Sequence, residues 1–207
     1  MTLSAQETNE TKKAPQMSGV LPVFHERWSP RSFAEREVSQ ETLAKVFEAA
    51  RWAASSSNEQ PWRYIVGLRG TETHKRIYEA LMPGNQKWAG KAPVLILATA
   101  AKNFAKNGSP NRFALHDLGA ASSYLVLEAA ALGLAAHQMA GYDEAKAREQ
   151  LGIPEDYLVG SAMALGYQDD PESLGDASLV ERELAPRTRK PLSEIAYSAW
   201  GESMGLR

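Results

Sequence analysis

The chain has 207 residues, of which 43% are hydrophobic and 23% charged, and its formal net charge at pH 7 is −2. This balance is typical of a globular protein with a buried core, and the lack of a long basic run argues against nucleic acid or an acidic membrane as a partner. Because the sequence contains no cysteine, it excludes disulfide frameworks, thiolate catalysis and cysteine-ligated metal sites.

The first stretch of the chain, MTLSAQETNETKKAPQ, is polar and lacks the apolar run of a secretion signal. We therefore predict a disordered tail over residues 1–17, followed by a single domain over 18–207. No internal repeat and no sharp change in composition divides that domain. We expect a cytoplasmic protein.

A helix, a strand, a second helix and a second strand are predicted next. Ser39 is a favourable N-cap, and apolar residues recur after it at i, i+3, i+4 and i+7, which indicates an amphipathic helix ending near Ala54. The runs 63–68 and 92–100 are apolar and predict strands, the second of them central in a sheet. Between them, 71–82 predicts a surface helix that a Pro-Gly pair stops.

The second half of the chain continues this alternation. Its Ala-rich segment 118–136 contains Ser122, Ser123 and Glu128, which favours a buried helix over 116–133 and argues against a bilayer span. Helices alternating with apolar strands indicate an α/β or α+β protein with one sheet. The other predicted elements are a loop over 102–112, a strand over 136–142, a helix from Asp143 to about Leu151, a strand over 157–167 and a mobile loop over 168–186.

Several motifs of well-known chemistry are absent. The sequence has no G-x-G-x-x-G turn, no Walker A loop and no H-E-x-x-H. The four histidines show no metal-ligand spacing, so we predict no metal site. If the protein is an enzyme, a bound cofactor has to supply the reactive chemistry.

The motif ERWSPRSF (26–33) is a candidate anion site. Arg27 and Arg31 flank Ser29, and two guanidinium groups with a hydroxyl suit a phosphate or a carboxylate. The alternative is a solvated loop before the first core helix.

The motif AASSSNEQPW (53–62) is unusually rich in small polar residues. Ser55, Ser56 and Asn58 would satisfy the free carbonyl groups at a helix C-terminus, but this explains their position and not their number. A planar heteroaromatic ligand with several carbonyl and ring-nitrogen acceptors would explain the number as well.

Two shorter motifs complete the candidates. APRTRKPL contains Arg187, Arg189 and Lys190, which are either part of a soluble terminus or, with the first motif, part of one pocket for a doubly charged phosphate. In HQMAGY (137–142), Gly141 would let backbone amides approach a flat ligand closely.

In order and spacing, the sequence resembles the FMN-dependent nitroreductases from about residue 22 to its C-terminus. The resemblance rests on RWSPRSF, ARWAASSSNEQPW, HDLGAASSYLVLEAAALGL leading into HQMAGY, GSAMALGY and RTRKPL. It departs from the family at Ala54, where proline is usual, and at Trp28, where a second basic residue is common. The second departure removes one expected phosphate partner and leaves the role of Trp28 open.

The resemblance implies an α+β sandwich in which helices flank a central mixed, mainly antiparallel sheet. It also implies an intertwined homodimer with FMN at the subunit interface. NADH or NADPH would reduce the FMN, which would reduce a nitroaromatic, a quinone or a similar small molecule by ping-pong hydride transfer without a catalytic side chain. The alternatives are a relative with another flavin reaction, such as dehalogenation, ene reduction or flavin fragmentation, and a non-catalytic FMN-binding protein.

The same resemblance implies the cofactor contacts. The arginine and serine motifs at both ends would hold the phosphate and the ribityl chain, the serine-rich loop would contact the flavin, often from the other subunit, and backbone amides after HQ would face the ring. The full set is Arg27, Trp28, Ser29, Arg31, Ser55, Ser56, Asn58, Gln138, Met139, Ala140, Gly141, Arg187 and Arg189.

Overall fold

A four-stranded sheet forms the centre of the fold in the computed structural model, which describes residues 3–15 and 19–206. Its strands pair in the order β1-β2-β4-β3, and each pairing is antiparallel. The parallel pair that a mixed sheet requires does not form within the described part of the chain. The strands are β1 (Trp62–Leu68), β2 (Val94–Ala101), β3 (Ala135–Met139) and β4 (Tyr157–Gly166).

Eight α-helices lie within the described ranges, and most of them pack on the two faces of the sheet. They are α1 (Ala5–Lys12), α2 (Pro22–Glu26), α3 (Gln40–Arg51), α4 (Glu72–Ala80), α5 (Pro83–Ala89), α6 (Ala114–Ala131), α7 (Glu144–Leu151) and α8 (Ala177–Leu184). An exposed hairpin, β5 (Tyr197–Ala199) and β6 (Glu202–Ser203), follows them. Of the helices in these ranges, none combines the length and the apolar character that a bilayer crossing needs.

Each face of the sheet carries its own apolar core. On one face, Val46 of α3 and Leu125 of α6 pack in the core that contains Ile96 of β2. On the other face, Ile77 of α4 packs in the core that contains Leu95. Leu95 and Ile96 are neighbours in β2 and point to opposite faces, so β2 is covered on both sides, as its unbroken apolar sequence predicts. The α+β class is therefore confirmed.

The predicted N-caps are also confirmed. The Ser39 hydroxyl accepts a hydrogen bond from the Thr42 amide at 3.1 Å at the start of α3. The Asp143 carboxylate accepts one from the Lys146 amide at 3.0 Å at the start of α7. These short polar side chains satisfy amides that have no partner inside the helix, which is why the sequence signal is reliable. The Ala-rich helix is α6.

Helix α4 ends at Ala80, before the Pro-Gly pair as predicted, but the predicted mobile loop 168–186 is wrong. Pro83 begins α5, because proline fits the first helical position, where its missing N–H has no partner to lose. The predicted mobile loop 168–186 contains α8, whose first-turn amides are capped by the Asp176 carboxylate. Leu179 and Glu183 lie one turn apart on α8 and are buried, so tertiary contacts stabilise a helix too short to be evident from its pattern.

Helix α1 lies where the polar composition predicts a disordered tail. Ser4 and Glu7 form a capping box, in which each side chain accepts a hydrogen bond from the other's backbone amide. Thr8 and Lys12 lie one turn apart on α1 and are buried, so α1 packs against the rest of the chain through this one side. The polar composition of the segment does not reveal that contact. Residues 1, 2, 16 and 17 of the predicted tail lie outside the described residues.

Candidate functional site

Three arginines from the two ends of the chain lie close together; we call Arg27, Arg187 and Arg189 the arginine cluster. Burial, and then the charge of Arg189, lower the pKa of Arg27. Burial, followed by the charges of Arg27 and Arg189, lowers the pKa of Arg187. Among residues 3–15 and 19–206, no carboxylate lies within 4.0 Å of these guanidinium groups. Like charges held together without a counter-ion are unfavourable, so the cluster favours an anion.

The local structure places these arginines. Arg27 is the residue after α2, and its Nη1 donates to the Ser29 hydroxyl at 3.3 Å. Arg187 Nη1 donates to the backbone carbonyls of Lys12 and His25, each at 2.7 Å, and so joins α1, α2 and the C-terminal segment. Arg189 is exposed, and its Nη1 donates only to the adjacent Thr188 carbonyl at 2.7 Å among the described contacts.

Arg31 and Trp28 have other contacts. Arg31 Nη1 lies 3.8 Å from a carboxylate oxygen of Glu183, which is fully buried. The Trp28 indole donates from Nε1 to the Asn9 side chain at 2.7 Å, and Lys12 Nζ lies 4.8 Å from the ring centroid. The structure thus gives Trp28 a contact with α1, while its expected contact with a cofactor stays a prediction.

Arg27 and Trp28 both line a cavity of about 260 Å³ at the C-terminal end of α6.

His137 of β3 holds the segment that carries Arg27 and Ser29. Its Nδ1 lies 2.9 Å from the Pro30 carbonyl oxygen. Burial lowers the pKa of His137 to about 4, and the charges of Arg31 and Arg27 act in the same direction. The imidazole is therefore neutral near pH 7 and donates its Nδ1 proton to that carbonyl. The segment that carries Arg27 and Ser29 is in this way fixed to the edge strand β3.

The chain after β3 is the candidate amide-lined turn. The strand ends at Met139, earlier than the predicted strand 136–142, and Met139 is buried whereas Gln138 and Ala140 are exposed. The Gly141 carbonyl accepts hydrogen bonds from the Met82 amide and the Asn85 side chain, both at 2.9 Å.

Position 141 has no room for a larger residue. A Cβ there would lie 2.8 Å from Asn85 Nδ2, so only glycine fits without a shift of that side chain. Sequence reasoning missed Asn85 because its surroundings, PGNQ, were interpreted as the end of a helix. An asparagine two residues after a proline that starts a helix is too weak a signal to identify it.

The serine-rich loop adopts a strained backbone. Ser57, Asn58 and Gln60 have φ angles of 54°, 55° and 51°, and they are the non-glycine residues with positive φ in the described ranges. Left-handed backbone costs roughly 1 kcal/mol or more for each such residue and persists where surrounding contacts enforce it, often at functional sites. Here the Ser55 hydroxyl accepts from the Gln60 amide at 2.9 Å, and the Ser56 amide donates to the buried Asp117 at 2.9 Å.

This loop is not needed to end the preceding helix. Helix α3 stops at Arg51, and the amides of Trp52 and Ala53 already bond to its last carbonyl groups. The serines begin two residues later. The helix-end explanation therefore loses support, and a binding role for the loop gains it.

One chain does not bring all predicted residues together. The arginine cluster and the Gly141 turn lie beside β3, while the serine-rich loop precedes β1 at the opposite edge of the sheet. Helix α6 connects the two regions, because Asp117 contacts the loop and Ala130 lines the cavity beside Arg27. These α6 residues are 13 positions apart, or about 20 Å along a helix. Within one chain the two groups of predicted residues thus lie at opposite edges of the sheet.

A hydrolase-like pattern near the C-terminus does not form a second site. Residues 201–205 read G-E-S-M-G and match G-x-S-x-G. They lie in and after the exposed β5–β6 hairpin, whereas a nucleophile elbow requires a strand-to-helix turn.

Comparison with known proteins identifies clear relatives. A family model described as "Nitroreductase family" matches residues 25–87 and 80–167. A crystal structure of an oxidoreductase containing FMN is 34% identical, with a TM-score of 0.81 over 89% of this chain and 93% of the other. An Archaeoglobus fulgidus protein, provisionally named NADH dehydrogenase/NAD(P)H nitroreductase, is 33% identical over 165 residues, which cover 78% of this chain and 92% of the relative. A nitroreductase family protein from Clostridium difficile is 28% identical, with a TM-score of 0.64 over 83% of this chain and 93% of its own.

Proposed function

Since the chain belongs to the nitroreductase family, we propose that it is an FMN-dependent oxidoreductase that uses NADH or NADPH to reduce nitroaromatics, quinones or similar acceptors by ping-pong hydride transfer. The observation that carries this proposal is the arginine cluster, where, among the described residues, no carboxylate lies within 4.0 Å of the three guanidinium groups. The phosphate of FMN is a doubly charged anion of the kind that such a cluster favours.

The other residues fit the remainder of FMN. The Ser29 hydroxyl, which accepts from Arg27, is free to donate to a phosphate oxygen or a ribityl hydroxyl. The turn at Gly141, which Asn85 holds through the Gly141 carbonyl, would present backbone amides to a flat ring. When bound, FMN would supply the redox chemistry by accepting a hydride from the nicotinamide and passing the electrons to the acceptor. The chain's part is to bind, orient and stabilise negative charge, and no side chain is assigned as acid or base.

We also propose that the site is completed in a homodimer, where the serine-rich loop of one chain reaches the arginine cluster of its partner. The separation of about 20 Å along α6 supports this arrangement. Large apolar side chains are exposed on α6 and in the C-terminal segment, and Leu115, Tyr124 and Trp200 are 49%, 46% and 96% exposed. Such surface suits an interface between subunits. A single domain over 18–207 and a cytoplasmic location stay predictions.

The proposal is tested by spectroscopy on purified protein. We expect bound flavin, bleaching on anaerobic addition of NADH or NADPH, and recovery of colour when a nitroaromatic or quinone is added. Flavin that stays oxidised for minutes with both nicotinamides would contradict the reductase and favour a non-catalytic FMN-binding protein. Recovery with a halogenated or ene substrate alone would favour another flavin reaction. Protein that is colourless and cannot be reconstituted with FMN would contradict the cofactor itself.

The strain at Asn58 gives a prediction that separates function from stability. We expect Asn58→Gly to keep or raise the melting temperature, because glycine adopts a φ of 55° without strain. We expect the same change to slow reduction of bound flavin about tenfold, since it removes a side-chain hydrogen-bond partner of the ring. Stopped-flow reduction and thermal unfolding measure the two effects. An ordinary loop would show the stability change and unaltered reduction.

A further inference from the structure

Glu183 is a buried carboxylate in the segment that joins the last strand of the sheet to the arginine cluster. It is 0% exposed and lies on α8. One oxygen accepts hydrogen bonds from the Arg31 amide at 2.8 Å, the Ser32 amide at 3.2 Å and the Ser32 hydroxyl at 3.0 Å. A carboxylate is costly to bury unless it is paired and hydrogen-bonded. This set of donors makes Glu183 a specific anchor for the chain that carries the anion-binding motif.

Glu183 also gives Arg31 a carboxylate partner that distinguishes it from the arginine cluster. The Arg31 guanidinium lies 3.8 Å from the second carboxylate oxygen. Lys12 is 3% exposed, and burial lowers its pKa, whereas the Glu183 charge acts to raise that pKa. The three members of the arginine cluster have no such partner among the described residues. Arg31 thus lies beside a buried carboxylate, whereas among the described residues no carboxylate lies within 4.0 Å of the arginine cluster.

We propose that Glu183 is a positioning residue of the cofactor site. It fixes the backbone at Arg31 and Ser32, and it neutralises Arg31, so that the arginine cluster and not the Arg31 guanidinium binds the phosphate. This inference rests on the proposed FMN function and refines it, because the family resemblance implies that Arg31 itself contacts the phosphate. The family model ends at residue 167, so α8 lies outside the matched residues.

Two charge-neutral double variants test the proposal. In Arg31→Gln/Glu183→Gln, the amide at position 183 keeps an acceptor oxygen for the anchored backbone, and both charges are gone. We expect its FMN dissociation constant to stay within about threefold of wild type. In Arg31→Gln/Glu183→Ala, the acceptor is lost as well, and we expect a dissociation constant at least about tenfold higher. Fluorescence titration of the apoprotein with FMN measures both.

A second readout distinguishes positioning from a general loss of stability. At saturating FMN, flavin reduction in Arg31→Gln/Glu183→Ala should be slower than in Arg31→Gln/Glu183→Gln, because the bound cofactor is held less precisely, whereas a loss of stability alone leaves the rate of the folded protein unchanged. Melting temperatures fix a temperature at which both variants are folded. Glu181→Ala is the matched control, since Glu181 is an exposed carboxylate on the same helix.

Each outcome decides a part of the proposal. If Arg31→Gln/Glu183→Gln binds FMN as weakly as Arg27→Ala, Arg31 is a phosphate ligand and the proposal is wrong. If the two double variants bind equally well, the anchoring role of Glu183 is wrong. Wild-type protein is titrated first, because a wild type without affinity for FMN would refute the proposed function, whereas a binding wild type with unaffected variants refutes only the role of Glu183.

Discussion

FMN binding is expected to weaken by about 100-fold or more when Arg27 and Arg189 are both replaced by alanine. Each replacement removes a charge-assisted contact to the phosphate, worth about 1.5–3 kcal/mol, and two such losses amount to roughly 3 kcal/mol or more. Arg189 donates only to the neighbouring Thr188 carbonyl among its described contacts, so the fold loses little with its side chain. Titration with FMN at low and moderate salt measures the effect, and the salt dependence should decrease in the variant.

Arg76→Ala is the control for this pair. Arg76 is an exposed arginine on α4 whose Nε donates to Glu72 at 3.1 Å, away from the arginine cluster. Its removal changes the net charge by one without touching the pocket. Equal flavin affinity in wild type and in the Arg27→Ala/Arg189→Ala variant would show that the cluster does not bind the phosphate.

When two defective chains are mixed, about a quarter of all flavin sites in the mixture are expected to be intact. The first chain carries Arg27→Ala and Arg189→Ala, and the second carries Asn58→Gly. If every site takes its arginine cluster from one chain and its serine-rich loop from the partner, a mixed dimer has one intact and one doubly defective site. Random pairing makes about half of the dimers mixed, and half of their sites are intact.

Co-expression with two different affinity tags isolates the mixed dimers, in which the intact fraction should rise to about one half. The measurement is the number of flavins that are tightly bound and reduced by NADH at the wild-type rate, expressed as a fraction of all chains. A site formed within one chain would leave each site of a mixed dimer with one defect, and no fast phase would appear. Dimers of each variant alone are the baseline.

Local signals in the sequence account for most of the fold. The cap at Ser39 and the unbroken apolar run of β2 depend on neighbours within one turn or one strand, and both predictions are confirmed. Helix α8 was missed because its stability depends on the burial of Leu179 and Glu183 against distant parts of the chain. The partner of Glu183 is Ser32, 151 residues away, and no local pattern encodes such a contact.

In the candidate site, too, local motifs could be predicted from the sequence, whereas contacts between distant segments could not. Residue types and spacing indicated the arginine and serine motifs, and the structure places Arg27 with the C-terminal arginines as a shared pocket would require. Composition does not reveal that Arg31 faces a carboxylate, that Trp28 supports α1, or that the serine-rich loop lies at the other edge of the sheet. These properties depend on which segments meet in space, and Asn85 was overlooked for the same reason.

The two carbonyl contacts of Arg187 join a member of the arginine cluster to helix α1. Since Arg187 bonds to Lys12 and His25, the geometry of the pocket and the docking of the N-terminal helix share one side chain. If docking of α1 strengthens anion binding by some factor, thermodynamic linkage requires that a bound anion strengthens the docking of α1 by the same factor. Amide exchange in α1 would then report cofactor occupancy, from a helix whose Asn9 lines the cavity beside Arg27.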